Sequence, residues 1–201
     1  DYDFEQDRAV IETRALIRDW HLAANGRIRA DVGIHAEYTS RPEHWRKVSE
    51  LAEKHNLVTQ NHLSETKRDT DECIARYGKT PTEILNENGV FNTRTLAAHG
   101  VYLTNRDMSI LARRGVSVAH NPVSNHKLAS GIANVTAMLK SGVNVSLGTD
   151  GCASNNSHDL FEELKLAALL AKGTCLDPTV VPAYSALILA TVTGGYGLGG
   201  E

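Results

Sequence analysis

Three short segments carry residue types that could do chemistry together. Asn61-His62-Leu63-Ser64-Glu65-Thr66 puts an imidazole at the end of an apolar run and a carboxylate three residues later. Ala98-His99-Gly100-Val101 offers a second imidazole in the same situation, and Leu147-Gly148-Thr149-Asp150-Gly151 ends another run in an acid flanked by glycines. A hydrolytic metal site needs neutral imidazole nitrogens and a carboxylate around a divalent cation, with one position left for water. His62 and Asp150 supply two such ligands. The cation would bring the pKa of its water towards ~7, giving a nucleophile at neutral pH. His99 could then orient or deprotonate that water. Glu65, not needed as a ligand, is placed to move a proton to the ring nitrogen of an aromatic amine, which makes the ring carbon electrophilic and leads to loss of ammonia. Each segment alone is a weak signal, since His-x-x-Glu is common and a strand-end acid often only caps a loop.

The elements that must position these groups follow from hydrophobic patterning. Strands are expected at Ala30 to His35, Leu57 to Leu63, Thr95 to Leu103, Gly115 to His120 and Val143 to Thr149. Helical periodicity separates them: Arg41 to Asn56 opens on Pro42, Asn105 to Arg114 has Thr104 as N-cap with Asp107 three residues on, and a further helix spans Asn134 to Ser141. Leu160 to Lys172 and Pro182 to Thr193 repeat the pattern, and Asp1 to Asn25 reads as one more helix. Alternating strands and helices give an α/β fold, either an open doubly wound sheet or a (β/α)8 barrel. His35, His62, His99, His120 and Asp150 each close a different strand, which is how a barrel assembles one site from many strands. The Gly-rich phosphate fingerprint of a dinucleotide fold is absent.

Composition bounds the partners. The 201 residues are 41% hydrophobic and 22% charged, ample for a buried core, and the net charge of -3 is spread without a basic stripe, so nucleic acid is not an expected partner. No apolar run approaches the ~20 residues that span a bilayer. Cys73, Cys152 and Cys175 have no short repeating spacing, which argues against a disulfide framework and for a reducing cytoplasm. The chain opens without Met or a signal core, hinting at a fragment.

Taken together the segments resemble the amidohydrolase superfamily. The branch they are most similar to is that of 5-methylthioadenosine/S-adenosylhomocysteine deaminases and related chlorohydrolases. The resemblance rests on His62 to Thr66, His99 to Leu103, His120-Asn121-Pro122-Val123-Ser124-Asn125 with Lys127 to Gly131, and Gly148 to Gly151 with Ala153-Ser154-Asn155-Asn156. It implies a distorted (β/α)8 TIM-type barrel, one divalent metal with zinc expected and iron or manganese compatible, and hydrolytic deamination of a small purine nucleoside. It also implies roles: His62 of the fifth strand and Asp150 of the eighth as metal ligands, His99 of the sixth against the hydrolytic water, Glu65 as the proton shuttle and His35 of the fourth at the substrate. Asp150 and Glu65 also face the substrate. Many members have proline where this chain has Ile34 and Glu37, and cysteine where it has Gly100. Arg8 and Arg14 sit in no matching motif. Guanine, oxidised purines and chlorinated triazines are the alternative substrates within the fold, and a non-catalytic assembly unit is the alternative outside it.

The family's first strand ends in His-x-His, and none of the nine histidines here is separated from another by a single residue. Residues 1–201 are therefore expected to be strands four to eight of the barrel, without the first three strands and the accessory sandwich. Such a segment should be inactive alone and should associate with further copies or need its missing part, because its edge strands are unpaired. Four smaller expectations remain. His120 supports structure or serves the site, His126, Lys127 and Ser130 sit in a polar loop, Cys152 is packed, and Asn155 to Ser157 caps the following helix. His21, His44, His55 and His158 lie on exposed polar faces of helices.

Overall fold

The aliphatic runs form five parallel strands in the computed structural model, which describes residues 3–200. They are β1 (Val32–Gly33), β2 (Thr59–Leu63), β3 (Thr95–His99), β4 (Ser117–His120) and β5 (Asn144–Leu147), hydrogen-bonded in strict chain order. Each is two to four residues shorter than its apolar run. The register carries Leu63 opposite His99 and His120 opposite Leu147, so the strands end along one rim. A doubly wound sheet reverses its strand order at a switch point, whereas a barrel wall does not. The sequential order is that of an arc of a (β/α) barrel.

Helices cover one side of the arc and close the core, in which Trp45, Leu85, Phe91, Leu111, Met138 and Ala186 are buried. Pro42 opens Pro42–His55 and the left-handed Asn56 ends it, as the sequence predicts. Thr104 and Asp107 form a full capping box on Asn105–Arg114, terminated by left-handed Gly115. The first helix is shorter than expected, running Arg8–Trp20 from an Asp7 cap; Leu22, Ala24 and Asn25 are left-handed and break its continuation, and Asp1 lies outside the described residues. The last predicted helix splits into Ala183–Ala190 and Val192–Gly197, because Thr191 leaves helical geometry. Two helices between β2 and β3, Lys67–Tyr77 and Pro81–Glu87, had no apolar periodicity to announce them. Among the described residues no helix is long and apolar enough to cross a membrane.

Two polar ties fasten the outer layer, one between two helices and one to the segment beyond β1. Asp107, fully buried, accepts from Thr104 N and Thr104 Oγ1, both at 2.8 Å, and from Thr80 Oγ1 at 2.5 Å, so one carboxylate caps its own helix and grips the N-cap of Pro81–Glu87. Glu37, just beyond β1, is buried and takes both its contacts from Arg76 Nη2, at 3.0 and 3.1 Å. Burial pushes its carboxyl up to about 7 against the opposing pull of that guanidinium.

Asp107→Asn turns an amide donor towards fixed donors, and we expect a loss of about 1–3 kcal/mol in denaturant unfolding; an unchanged midpoint would contradict the tie. For Glu37 the folded state holds the proton more tightly than the unfolded chain does, so its contribution to stability falls as pH rises from the model-peptide value of 4.5 to about 7. Glu37→Gln should flatten that slope, and parallel stability–pH curves for the two proteins would refute it.

Candidate active site

Three imidazoles line up along the rim where β1, β2 and β3 end. The His35 and His62 ring centroids are 4.8 Å apart, and His62 stacks on His99 at 5.5 Å with an interplanar angle of 19°. Nδ1 of His62 lies 2.7 Å from the carbonyl oxygen of His35, which can only accept, so Nδ1 carries the proton. In that tautomer Nε2 is the nitrogen that carries the lone pair. His99, fully buried, repeats this arrangement with a side chain: its Nδ1 is 2.8 Å from Asn125 Oδ1, leaving Nε2 to face Glu65 Oε2 at 3.6 Å. Ser130 donates to Glu65 Oε1 at 3.3 Å from the opposite side.

Asp150 follows β5 and reaches the same space. It lines a cavity of about 320 Å³ together with His35, His62, Asn61 and Asn121. Partial burial raises its pKa, but a hydrogen bond from Ser124 Oγ at 2.6 Å, another from Gly151 N at 2.7 Å and the imidazoles of His99 and His62 outweigh that and hold the carboxyl below its usual range. His99 and Asp150 both have left-handed backbones, with φ of 77° and 61°. Residues with a Cβ occupy that region at a cost, and such strain collects at functional sites.

All five predicted site residues thus lie on one rim: His35, His62 and His99 in a row of rings, Glu65 against His99, and Asp150 in the cavity with His35 and His62. Among the described residues, no three His, Cys, Asp or Glu side chains cluster closely enough to hold a metal ion. The donor chemistry of His62 Nε2 and an ionised Asp150 suits a divalent cation, as two ligands of a larger set.

Other expectations change. Pro122 opens a short helix, Pro122–Lys127, where a turn and polar loop were expected, and this helix supplies Ser124 and Asn125. His120 is buried with its ring pushed down to about 4, by burial first and then by His126 and His99, so it stays neutral, and its Nδ1 has no hydrogen-bond partner. Cys152 is exposed, not packed, with its Sγ 3.2 Å from His158 Nε2. His44 is half-buried against Phe4 instead of lying on an open face. The helix Leu160–Cys175 is capped by Asp159, while Asn155 points inwards to Thr149 O and Glu163. Glu163, fully buried, carried no signal beyond its membership of an acidic pair.

Known proteins resemble this chain over nearly its whole length. The chain is 47% identical over 187 residues to a 5-methylthioadenosine/S-adenosylhomocysteine deaminase of Moorella thermoacetica, covering 93% of this chain and 44% of that protein. It is 46% identical over 188 residues to a 5'-deoxyadenosine deaminase of Methanothermobacter thermautotrophicus, covering 94% and 44%. Among solved structures, an adenosine deaminase from Xanthomonas campestris with bound zinc superposes with a TM-score of 0.89 at 36% identity, covering 94% of this chain and 43% of that one. A zinc complex of atrazine chlorohydrolase from Arthrobacter aurescens gives 0.87 at 27%, covering 96% and 43%. The chain spans less than half the length of these relatives. The amidohydrolase family profile matches residues 1–195, and the chain belongs to the amidohydrolase family.

Proposed function

We propose that this chain is the C-terminal part of the catalytic barrel of a metal-dependent hydrolytic deaminase acting on adenosine-type compounds, with 5-methylthioadenosine and S-adenosylhomocysteine as the substrate class. The observation that carries this is the pair of fixed imidazoles: His62 and His99 each place Nδ1 against an oxygen acceptor, His99 Nε2 faces Glu65, and His62 lines the cavity together with Asp150. The relatives at 46–47% identity are named as deaminases of such compounds, and two of the similar structures hold zinc. The chlorohydrolase, at 27%, is the more distant likeness.

His62 Nε2 and Asp150 would hold one divalent cation, zinc in this reading, and the remaining ligands, with the first three strands of the barrel, belong to segments outside this chain. When bound, the cation supplies the Lewis acidity that makes water nucleophilic at neutral pH. The other steps rest on side chains of this chain. His99, its ring fixed by Asn125 at Nδ1, meets the attacking water with Nε2 and orients it. Glu65 takes a proton from the attacking water and delivers it to the ring nitrogen next to the amino-bearing carbon, to which the water oxygen adds before ammonia leaves, and Ser130 steadies the second oxygen of Glu65. Asp150, held ionised, accepts from the water on its other side. His35, the most exposed of the three rings, contacts the nucleoside.

The isolated chain should release no ammonia from 5'-methylthioadenosine, and joining it to the strands that complete its barrel should establish the activity. In the completed protein Glu65→Gln should lower kcat by about 10²–10⁴ with a small change in KM. Removing metal with a chelator should abolish turnover and added zinc should restore it. Preferential turnover of guanine or a chlorinated triazine would move the assignment to another branch of the family, and a chelator-insensitive deaminase would refute the metal role.

A further inference from the structure

The helix Leu160–Cys175 buries one acid completely, although the proposed chemistry gives it nothing to do. Glu163 is 0% exposed, and its neighbour Glu162 faces solvent. Its two oxygens take two different donors: Oε2 accepts from Val123 N at 3.1 Å, and Oε1 accepts from Asn155 Nδ2 at 2.5 Å. Those donors belong to the two elements that flank Asp150. Val123 precedes Ser124, whose hydroxyl donates to Asp150 Oδ2 at 2.6 Å. Asn155 gives its second amide hydrogen to Thr149 O at 2.6 Å, the carbonyl of the peptide that leads into Asp150. One carboxylate therefore grips the side-chain support and the backbone support of Asp150 at once, from outside the cavity.

We propose that Glu163 is a positioning residue: by clamping Val123 and Asn155 it holds Asp150 in its left-handed backbone conformation with its carboxylate aimed into the cavity. The inference rests on the reading of Asp150 as a metal ligand. Asp150 has φ of 61°, a conformation a residue with a side chain keeps only where its surroundings over-determine it. The clamp is that over-determination. Both partners are donors, so only a carboxylate satisfies both; a side-chain amide at 163 must turn an N–H towards Val123 N–H or towards the Asn155 amide.

The test uses the completed protein and two readouts, zinc affinity by competition with a chromophoric chelator, without substrate, and steady-state kinetics with 5'-methylthioadenosine. Glu163→Gln should lose about 10- to 100-fold in zinc affinity and a similar factor in kcat, the cost usual for groups that orient a ligand, while KM moves by less than about threefold. Asn155→Asp should be at least as impaired, since it sets two carboxylates face to face. The double variant N155D/E163Q restores donor–acceptor pairing between the two positions, so its zinc affinity should exceed that of both single variants by about fivefold or more, short of the parent because Thr149 O has lost its donor. Should Glu163→Gln not fold, Glu163→Asp keeps the charge and withdraws it by one methylene, and its zinc affinity should still fall. Parent-like zinc affinity in whichever of these two folds, or a double variant no better than Glu163→Gln, overturns the proposal while the functional reading stands. A parent that binds no zinc overturns both.

Discussion

A single backbone carbonyl sets the chemistry of the rim. The oxygen of His35 accepts from the backbone N–H of His62 at 2.9 Å and from the ring Nδ1 of the same residue at 2.7 Å. The first bond extends the pairing of β1 with β2; the second decides which ring nitrogen is protonated. Orientation of the ring and availability of Nε2 thus follow from the strand register itself, and they cannot drift unless the two strands separate. Lone-pair direction is what a cation or a water recognises, so coupling it to sheet pairing makes the site as rigid as the sheet.

The layer behind the rim is polar and dense where β4 and β5 end. Ser124, Asn125, Asn155 and Glu163 are interior side chains joined to Asp150, His99 and the surrounding backbone. Buried polar groups normally find partners, and each one left over calls for an explanation. Asn61 Oδ1, Ser64 Oγ, His120 Nδ1 and Asn125 Nδ2 are buried without a partner; Asn61 lies within β2, Ser64 just past it, His120 ends β4 and Asn125 sits in the helix that follows. The cost of leaving them unpaired is borne where a bound molecule or the rest of a barrel would meet them.

The strand ends were legible because parallel strands buried on both faces read as unbroken aliphatic runs, and the polar residue closing each run stands out. Strand lengths were not. Thr95 to Leu103 looks continuous, but the left-handed His99 and Gly100 turn the chain away after five residues. Lys67–Tyr77 went unread because its outward face is charged and only Thr70 and Cys73 are buried, although Thr66 with Asp69 and Thr80 with Glu83 are capping boxes in plain view. Asp107 was legible as a cap but not as a link to Thr80, which depends on two helices meeting in space. Glu163 is the clearest limit: in sequence it is the twin of Glu162, and only the packing of three elements around it separates a buried clamp from a solvated charge.

The division of labour within the barrel follows from the same arc. In the proposed reading the proton-handling residues Glu65 and His99 with their supports lie within this arc, whereas the coordination sphere does not, since the proposed ligands His62 and Asp150 reach the cavity from β2 and β5, with β3 and β4 between them. Two donors so disposed leave the side of the cavity opposite β3 and β4 without ligands, and a closed coordination sphere needs more from there. β1 and β5 are the two edge strands of the sheet, each with one face of its hydrogen-bonding ladder unpaired in it. In the proposed reading, completing the ladder and completing the ligand set would be one structural event. An arc that cannot hold its cation firmly until the barrel closes would couple catalytic competence to assembly, with the proton-transfer half of the site prearranged before the metal half exists.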